Sequence, residues 1–164
     1  MRPRLRLLFL LAALPLALSA QIVVSGSAGL LANPHQPHQL GRAAVKLGIA
    51  LPPVPHLLLL WNVASVALDR QAGNNAPALG TSLEAWLSPA RRPAESWGPL
   101  LLAEVAVGHR WGTGPHGYTA LGLGAGWSLG NWVPYVEYRR RTFFHSGSVP
   151  DHQIVVGLKF ILFG

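Results

Sequence analysis

Six charged residues of this sequence could perform acid–base chemistry. They lie within segments that are otherwise apolar or small, and they comprise three acids and three bases: Lys46, Glu84, Glu104, Glu137, Arg139 and Lys159. A carboxyl group beside a cation could act as a general acid or base, and a file of such groups could conduct ions. Isolated charges in a protein core are too costly to remain unpaired. We therefore predict that the six form ion pairs, with a catalytic pair or a conducting path as the alternatives.

A second group of residues, near the C-terminus, is enzyme-like. His145-Ser146-Gly147-Ser148 is followed by Asp151. The stretch is similar to the His-x-Ser motif of outer-membrane lipid A deacylases, small eight-stranded barrels that complete their site with a later acid. Here the serines lie one position too early and one too late, and a serine nucleophile needs a base within hydrogen-bonding reach. We predict an ordinary polar loop. The alternative that the resemblance implies is a lipid A-modifying enzyme with His145 and Ser148 as its catalytic pair.

A histidine pair is the candidate metal site of the sequence. His35 and His38 form an H-x-x-H pattern within the segment NPHQPHQ. Catalytic zinc is usually held by three protein ligands, and no third ligand accompanies this pair. We predict a solvated loop here, with neither a metal nor a cofactor.

The N-terminus has the pattern of a secretory signal peptide. Three arginines precede the apolar stretch 7–18, and the small residues Ser19 and Ala20 follow it. That apolar stretch is too short to cross a bilayer as a helix, which takes about 20 residues. We predict that residues 1–20 are a cleaved signal peptide and that residues 21–164 form a single domain.

Composition excludes several classes of function. The chain has no cysteine, so it must fold without disulfides and without a lipidated cysteine. Beyond the signal, ten Lys and Arg face six Asp and Glu, and the one basic triplet, Arg139 to Arg141, alternates between the faces of a strand. We therefore expect no nucleic-acid partner.

The balance of apolar and charged residues points to a membrane protein without spanning helices. Half of the residues are hydrophobic and 12% are charged, against roughly 25% charged in soluble domains. After the signal, the longest apolar run covers only residues 57–68. Since only helices and closed barrels satisfy their backbone polar groups in lipid, the composition predicts a β-barrel.

Eight segments of β-type composition alternate with turn-forming clusters. They span residues 22–31, 41–51, 57–68, 79–87, 100–111, 118–129, 132–144 and 153–163. Strands tilted by about 45° need roughly 9 to 11 residues to cross the hydrocarbon, so these lengths fit. We predict an all-β fold: an eight-stranded antiparallel up-and-down transmembrane β-barrel with both termini on the periplasmic side.

Alternation within the segments assigns their faces. In six of them, one set of alternate residues is mainly apolar and the mid-strand acids fall on the other face; Leu121 and Leu123, for instance, oppose Gly122 and Gly124. Apolar-out and polar-in is the pattern of a barrel in lipid. It assigns the six charged residues to a lumen that side chains can fill. The segment 57–68 is about equally apolar on both faces, so its register is not predicted.

The last segment carries the resemblance to a known family. Ile154, Val156, Leu158, Phe160 and Leu162 share one apolar face, and Phe163 and Gly164 end the chain. This resembles the closing strand of Gram-negative outer-membrane barrels, and the mature chain resembles the small OmpA/OmpX-type proteins. The resemblance implies an outer-membrane location, contact with outer-membrane lipid, recognition of the C-terminal strand by the barrel-assembly machinery, and a monomer.

Aromatic residues support the proposed topology. Trp and Tyr collect at the two membrane interfaces, and the predicted strand ends carry such residues: Trp111, Tyr118, Trp127, Trp132 and Phe144. The function that follows is a structural or surface-interaction role with a packed, charge-paired lumen. A deacylase-like enzyme and a narrow, porin-like pore are the alternatives.

Overall fold

The computed structural model describes residues 21–33, 36–51, 54–71, 74–90, 97–112, 116–145, 148 and 150–162. These residues form eight strands: β1 (Gln21–Asn33), β2 (Gln36–Ala50), β3 (Leu57–Gln71), β4 (Asn74–Leu87), β5 (Gly98–Arg110), β6 (Gly117–Ser128), β7 (Trp132–Phe143) and β8 (Asp151–Leu162). The predicted signal peptide lies outside the described residues.

The strands form one closed antiparallel barrel. Each strand pairs with the next along the chain, and β1 also pairs with β8, for example at Ser25 and Lys159. Closure leaves no strand edge unpaired, which is the condition for a sheet in lipid. The predicted all-β, eight-stranded antiparallel barrel is thereby confirmed.

Within the described part of the chain, no helix is long and apolar enough to span a membrane.

The two ends of the barrel differ in their connections. Ile22 pairs with Leu162, so the beginning of β1 and the end of β8 lie at the same end of the barrel, which we call the near end. The turns after β2, β4 and β6 lie there as well. The connections after β1, β3, β5 and β7 lie at the opposite end, which we call the far end.

Strands at the far end are longer than the sequence predicted. β2 begins at Gln36, β3 runs to Gln71 and β4 begins at Asn74, so most of the two stretches predicted as loops is strand. In the second of these stretches, the first residue, Asp69, has a partner across the sheet. Arg42 and Asp69 are cross-strand neighbours, and their buried side chains form an ion pair of 3.0 Å.

The register of β3, which the sequence did not predict, is set by a β-bulge. Val63 and Ala64 together oppose Thr81 of β4, because the pairing passes from Asn62↔Ser82 directly to Ser65↔Gly80. The extra residue reverses the alternation. Before the bulge, even-numbered residues such as Asn62 point inward; after it, odd-numbered residues such as Ser65 do.

The barrel interior is layered along its axis. Near the near end lies an apolar cluster formed by Val23, Ala50, Leu58, Leu60, Trp86, Leu100, Leu102, Val133, Tyr135, Val155 and Ile161. Towards the far end lies a second cluster formed by Ala44, Ala67, Ala78, Tyr118, Ala120 and Phe143. The charged side chains of the lumen occupy the space that these clusters leave.

Tyr118 belongs to the interior and not to the membrane interface where the sequence suggested it. Its side chain is only 3% exposed and packs edge-on against Phe143, with ring centroids 6.1 Å apart. Gly108 and Gly80 make this possible, because a Cβ at Gly108 would lie 2.5 Å from the Tyr118 ring. These glycines therefore leave the space that the inward-pointing ring occupies.

Candidate functional site

The six charged residues of the sequence prediction lie inside the barrel, and all are buried. They come from β2, β4, β5, β7 and β8, and we call them the central network: Lys46, Glu84, Glu104, Glu137, Arg139 and Lys159. Each stands at an inward position because its strand alternates apolar residues outward. Five of the eight strands thus contribute a charge to the same layer.

Glu84 and Glu104 meet side by side at the middle of the central network. They are cross-strand partners on β4 and β5, and like charges in that position repel one another. Lys46 lies between them, with its Nζ 3.0 Å from Glu84 Oε1 and 2.7 Å from Glu104 Oε1. The ammonium group therefore converts a repulsive pair into a bridged one.

Glu84 is the most connected acid of the network. Its Oε2 lies 2.7 Å from Lys159 Nζ and accepts a hydrogen bond of 2.9 Å from Trp86 Nε1. Its Oε1 accepts a bond of 2.6 Å from Asn62 Nδ2. A buried carboxylate is stable only when paired and hydrogen-bonded in this way.

Arg139 joins the other two acids. Its Nη2 pairs with Glu104, and its Nε lies 3.0 Å from Glu137 Oε1. The glycines of β6 make room for this arrangement, because a Cβ at Gly122 would collide with the Glu137 carboxylate. Glycine at position 122 therefore has a packing explanation.

A second set of ion pairs, which sequence reasoning did not assemble, lies nearer the far end. We call it the rim network: Arg42, Asp69, Arg141 and Asp151. Asp69 pairs with Arg42 and Arg141, and Arg141 Nη2 lies 2.7 Å from Asp151 Oδ2. Both acids were assigned to loops. The alternation of β2, which puts Arg42 on the face of Lys46, was the available signal.

Aromatic rings support the cations of both networks. The Arg141 guanidinium lies 5.1 Å from the centre of the Tyr118 ring, and Lys159 Nζ lies 4.9 Å from the centre of the Tyr135 ring. Such contacts favour cations that are held away from water. Together, the ion pairs and the aromatic rings fill the lumen and leave its charges paired.

The enzyme-like stretch is built as a turn. The Ser148 hydroxyl donates to the backbone carbonyl of His145 at 2.7 Å, and His145 itself is exposed. Among the described residues, no hydrogen bond joins the His145 ring to Ser148. Ser146 lies outside the described residues, and Asp151 belongs to β8, where it pairs with Arg141.

The histidine pair is only partly within the described chain. His35 lies outside the described residues, and His38 falls within β2, with its side chain outside what the structure describes.

The outer wall is apolar and carries aromatic residues towards both ends. Four of the five predicted interface aromatics are on this surface, exposed by 48% to 70%: Trp111, Trp127, Trp132 and Phe144. Towards the far end of β7 and β8 the wall becomes polar. There Tyr138 Oη and His152 Nδ1 are 2.5 Å apart, and Arg140 lies beside His152 across the strands.

Comparison with known proteins shows a shared fold. No protein-family model matches the sequence, and no curated protein matches it either. Among solved structures, the outer-membrane enzyme PagL superposes with a TM-score of 0.59 at 14% identity, over 84% of this chain and 98% of that chain. Neisserial surface protein A superposes with a TM-score of 0.50 at 8% identity, over 87% of this chain and 96% of that chain.

A third similar structure is Ail, the attachment invasion locus protein of Yersinia pestis. It has a TM-score of 0.49 and 12% identity, with 87% of this chain and 97% of that chain covered. The closed eight-stranded barrel and its likeness to PagL and Neisserial surface protein A show that the chain has the fold of the small eight-stranded outer-membrane barrels, in keeping with the OmpA/OmpX-type resemblance. Because an enzyme and a surface protein share this fold, the fold does not choose the function.

Proposed function

We propose that this protein is a barrel of the bacterial outer membrane with a structural or surface-interaction role, and that its lumen is sealed. The observation that carries the proposal is the central network, in which side chains from five strands meet in one layer of the lumen. An ion that crossed this layer would have to displace buried partners. Breaking a buried pair costs about 3–5 kcal/mol, so the network opposes conduction.

The layers on either side of the central network support a sealed lumen. Trp86 and Tyr135 pack edge-on, with ring centroids 5.9 Å apart, within the apolar cluster towards the near end. The rim network and the Tyr118–Phe143 pair lie towards the far end. A narrow pore, the alternative from the sequence, would need a continuous aqueous path through three packed layers.

The outer wall supports a membrane location. Leu123 is 68% exposed and Leu101 is 64% exposed, and most outward positions between the barrel ends are apolar. A soluble protein rarely exposes so large an apolar surface. With residues 1–20 as a signal peptide, the near end is periplasmic and the far end faces the cell exterior, which is the orientation of known outer-membrane barrels.

The surface-interaction part of the proposal rests on the polar wall at the far end. Tyr138, Arg140 and His152 point outward there, on the half of β7 and β8 that leads to the far end. A guanidinium group is suited to bidentate contact with phosphate. Outer-membrane lipid is thus the partner that this surface fits.

Two measurements test the main proposal. The mature chain should fractionate with outer membranes and migrate differently on gels before and after boiling, because a closed barrel resists detergent until heated. In planar bilayers, the folded protein should give no ion conductance above the lipid baseline. Recovery as a soluble periplasmic protein, or stable single-channel currents, would overturn the proposal.

The enzyme alternative receives less support from the turn at His145. A nucleophilic Ser148 would need a base that accepts its proton, whereas its hydroxyl donates to a backbone carbonyl. We expect His145→Ala to leave lipid A acylation unchanged, as read by mass spectrometry of lipid A from cells that express each variant. A change in acylation that requires His145, with normal barrel folding, would favour the enzyme.

A further inference from the structure

One charged side chain lies on the outer wall. Among the strand residues whose side chains the structure describes, Arg140 is the only Lys, Arg, Asp or Glu that points outward. It lies on β7 between Trp132 and Phe144, two exposed aromatic residues of the same face. With these rings at the two membrane interfaces, Arg140 belongs to the stretch of wall that faces hydrocarbon under the proposed function. An ionisable residue in such a position usually marks a functional contact.

The protein itself supplies no counter-charge for Arg140. Within the described part of the chain, its guanidinium group has neither an ion pair nor a hydrogen bond. The acids of the adjacent strand positions point inward, where Glu137 pairs with Arg139 and Asp151 pairs with Arg141. A cation on a lipid-facing wall costs free energy, so Arg140 is stabilised by an anion from its surroundings.

Tyr138 and His152 add a hydrogen-bond donor beside this cation. Tyr138 Oη and His152 Nδ1 are 2.5 Å apart. A phenol and a neutral imidazole carry two polar hydrogens between them, and this bond uses one. The other is left to donate, from His152 Nε2 or from Tyr138 Oη according to the tautomer. Since His152 stands directly opposite Arg140, where Cβ atoms lie about 4.5–5.5 Å apart, both donors can reach one acceptor.

The surroundings of this polar group are apolar. Leu121 is the partner of Arg140 across β6, and Tyr138 lies between Leu123 and Ile154. These three side chains are 61%, 68% and 47% exposed. A molecule that fits the whole patch is therefore anionic at one end and apolar beyond it, as a phosphorylated lipid is and a soluble anion is not.

We propose that Arg140 and the Tyr138–His152 pair bind the phosphate group of one membrane lipid, with its acyl chains against Leu121 and Leu123. The proposal rests on the membrane location proposed above and names the chemical group that the outer wall recognises. The Arg140 guanidinium supplies the charge and a bidentate contact, and its long side chain can extend along the wall towards the headgroups. The Tyr138–His152 pair supplies the third hydrogen bond.

Native mass spectrometry of the mature barrel, folded in a non-ionic detergent, tests the proposal. The protein is titrated with dioleoyl phosphatidic acid and with dioleoylglycerol, which has the same chains and no phosphate. We expect saturable binding of the first lipid only. Arg140→Gln should weaken it about tenfold or more, because hydrogen bonds to charged groups are the strong ones, and His152→Phe should weaken it by a smaller factor. Thr142→Val, which removes an exposed hydroxyl of the same strand, should leave the affinity unchanged.

Equal binding of both lipids, or unchanged affinity of Arg140→Gln for phosphatidic acid, would overturn the proposal. Inorganic phosphate is added as a competitor, and we expect it to leave the lipid bound, because it lacks the apolar contacts. Displacement by phosphate at the concentration of the lipid would show that a soluble anion is the occupant. Insertion of each variant into vesicles is followed by gel shift. A barrel that inserts but binds phosphatidic acid without Arg140 refutes this inference alone, whereas a chain that does not insert refutes the membrane location as well.

Discussion

Asn62 and Ser65 both point into the lumen although three positions separate them on one strand. In a regular strand, residues an odd number apart face opposite sides. A β-bulge explains the shared direction of Asn62 and Ser65. Val63 and Ala64, which lie between them, both stand opposite the single residue Thr81. It keeps Val66 and Leu68 on the outer face and turns Ser65 and Asp69 inward. A single extra residue thus brings the polar side chains of β3 to both ion networks.

Thr81 should stabilise this bulge. Its hydroxyl donates to the backbone carbonyl of Asn62 at 2.6 Å and accepts from Trp61 Nε1 at 3.1 Å. Thr81→Val removes both bonds at nearly constant shape. We expect a loss of about 1–3 kcal/mol in unfolding free energy, since the Asn62 carbonyl and the outward-facing Trp61 Nε1 lose a partner on a wall that we propose lies away from water. Urea unfolding in detergent micelles measures this loss. Thr142→Val, on the exposed wall of β7, is the matched control and should change stability little.

The bulge also explains what the sequence could and could not predict about the fold. Periodicity fixed the faces of strands such as β4 and β6, where polar or small residues alternate with apolar ones without interruption. In β3, even-numbered residues point inward before the bulge and odd-numbered residues point inward after it. The apolar and polar faces are therefore exchanged halfway, and no alternation is visible over residues 57–68 as a whole. A bulge leaves no mark in composition, because its apolar residues Val63 and Ala64 resemble their neighbours.

The candidate site was predictable only where alternation was clear. Lys46 and Glu104 interrupt regular apolar strands, so their inward direction follows from the sequence. Asp69 and Asp151 lie beside glycine, proline or asparagine clusters that predict loops. In the structure the strands are longer and include both acids, which therefore form ion pairs with Arg141. Which cation pairs with which acid depends on strand register, and no single strand encodes that.

The pairing pattern predicts that two acids of the central network differ in importance. Among the described residues, Glu84 is the only carboxylate that pairs with Lys159, whereas Arg139 pairs with both Glu104 and Glu137. Glu84→Gln should therefore cost about 3–5 kcal/mol, since it leaves a buried ammonium unpaired. Glu137→Gln should cost clearly less. Unfolding in urea measures both.

A double variant checks the reason for this ranking. Glu84→Gln combined with Lys159→Met removes the unpaired charge as well as its former partner. We expect this protein to recover a large part of the lost stability, because replacement of a whole buried pair is far milder than removal of one member. Equal stability of the single and double variants would show that Glu84 acts through its hydrogen bonds to Asn62 and Trp86 instead.

The outer wall, which we propose lies in lipid, should respond to charge according to depth. Leu123 lies at the middle of β6 and is 68% exposed, whereas Leu129 follows the strand at the near end. Leu123→Arg should cost about 2–4 kcal/mol and Leu129→Arg about 0–1 kcal/mol, in line with the depth dependence of other barrels. Folding into lipid vesicles, followed by gel shift and urea titration, measures the difference. Similar costs at both positions would contradict an exterior immersed in lipid.

The packing of Tyr135 depends on a glycine across the strands. Gly157 is the cross-strand partner of Tyr135 on β8, and a Cβ there would lie 2.5 Å from the tyrosine ring. The ring has little freedom to move away, because Trp86 packs edge-on against it and Lys159 Nζ lies 4.9 Å from its centre. Gly157→Ala should therefore overpack the lumen.

We expect Gly157→Ala to lower the unfolding free energy by about 1–3 kcal/mol, the usual cost of an added methyl group in a packed core. Gly26→Ala is the control, since a Cβ at Gly26 meets no atom within 4 Å, and it should be neutral or slightly stabilising. If the steric argument is right, Tyr135→Leu should reduce the cost of Gly157→Ala, because the shorter side chain vacates the space that the new methyl group needs. Additive costs in this double-mutant cycle would instead mean that the two residues do not interact, since coupling appears only between side chains that touch or share a partner.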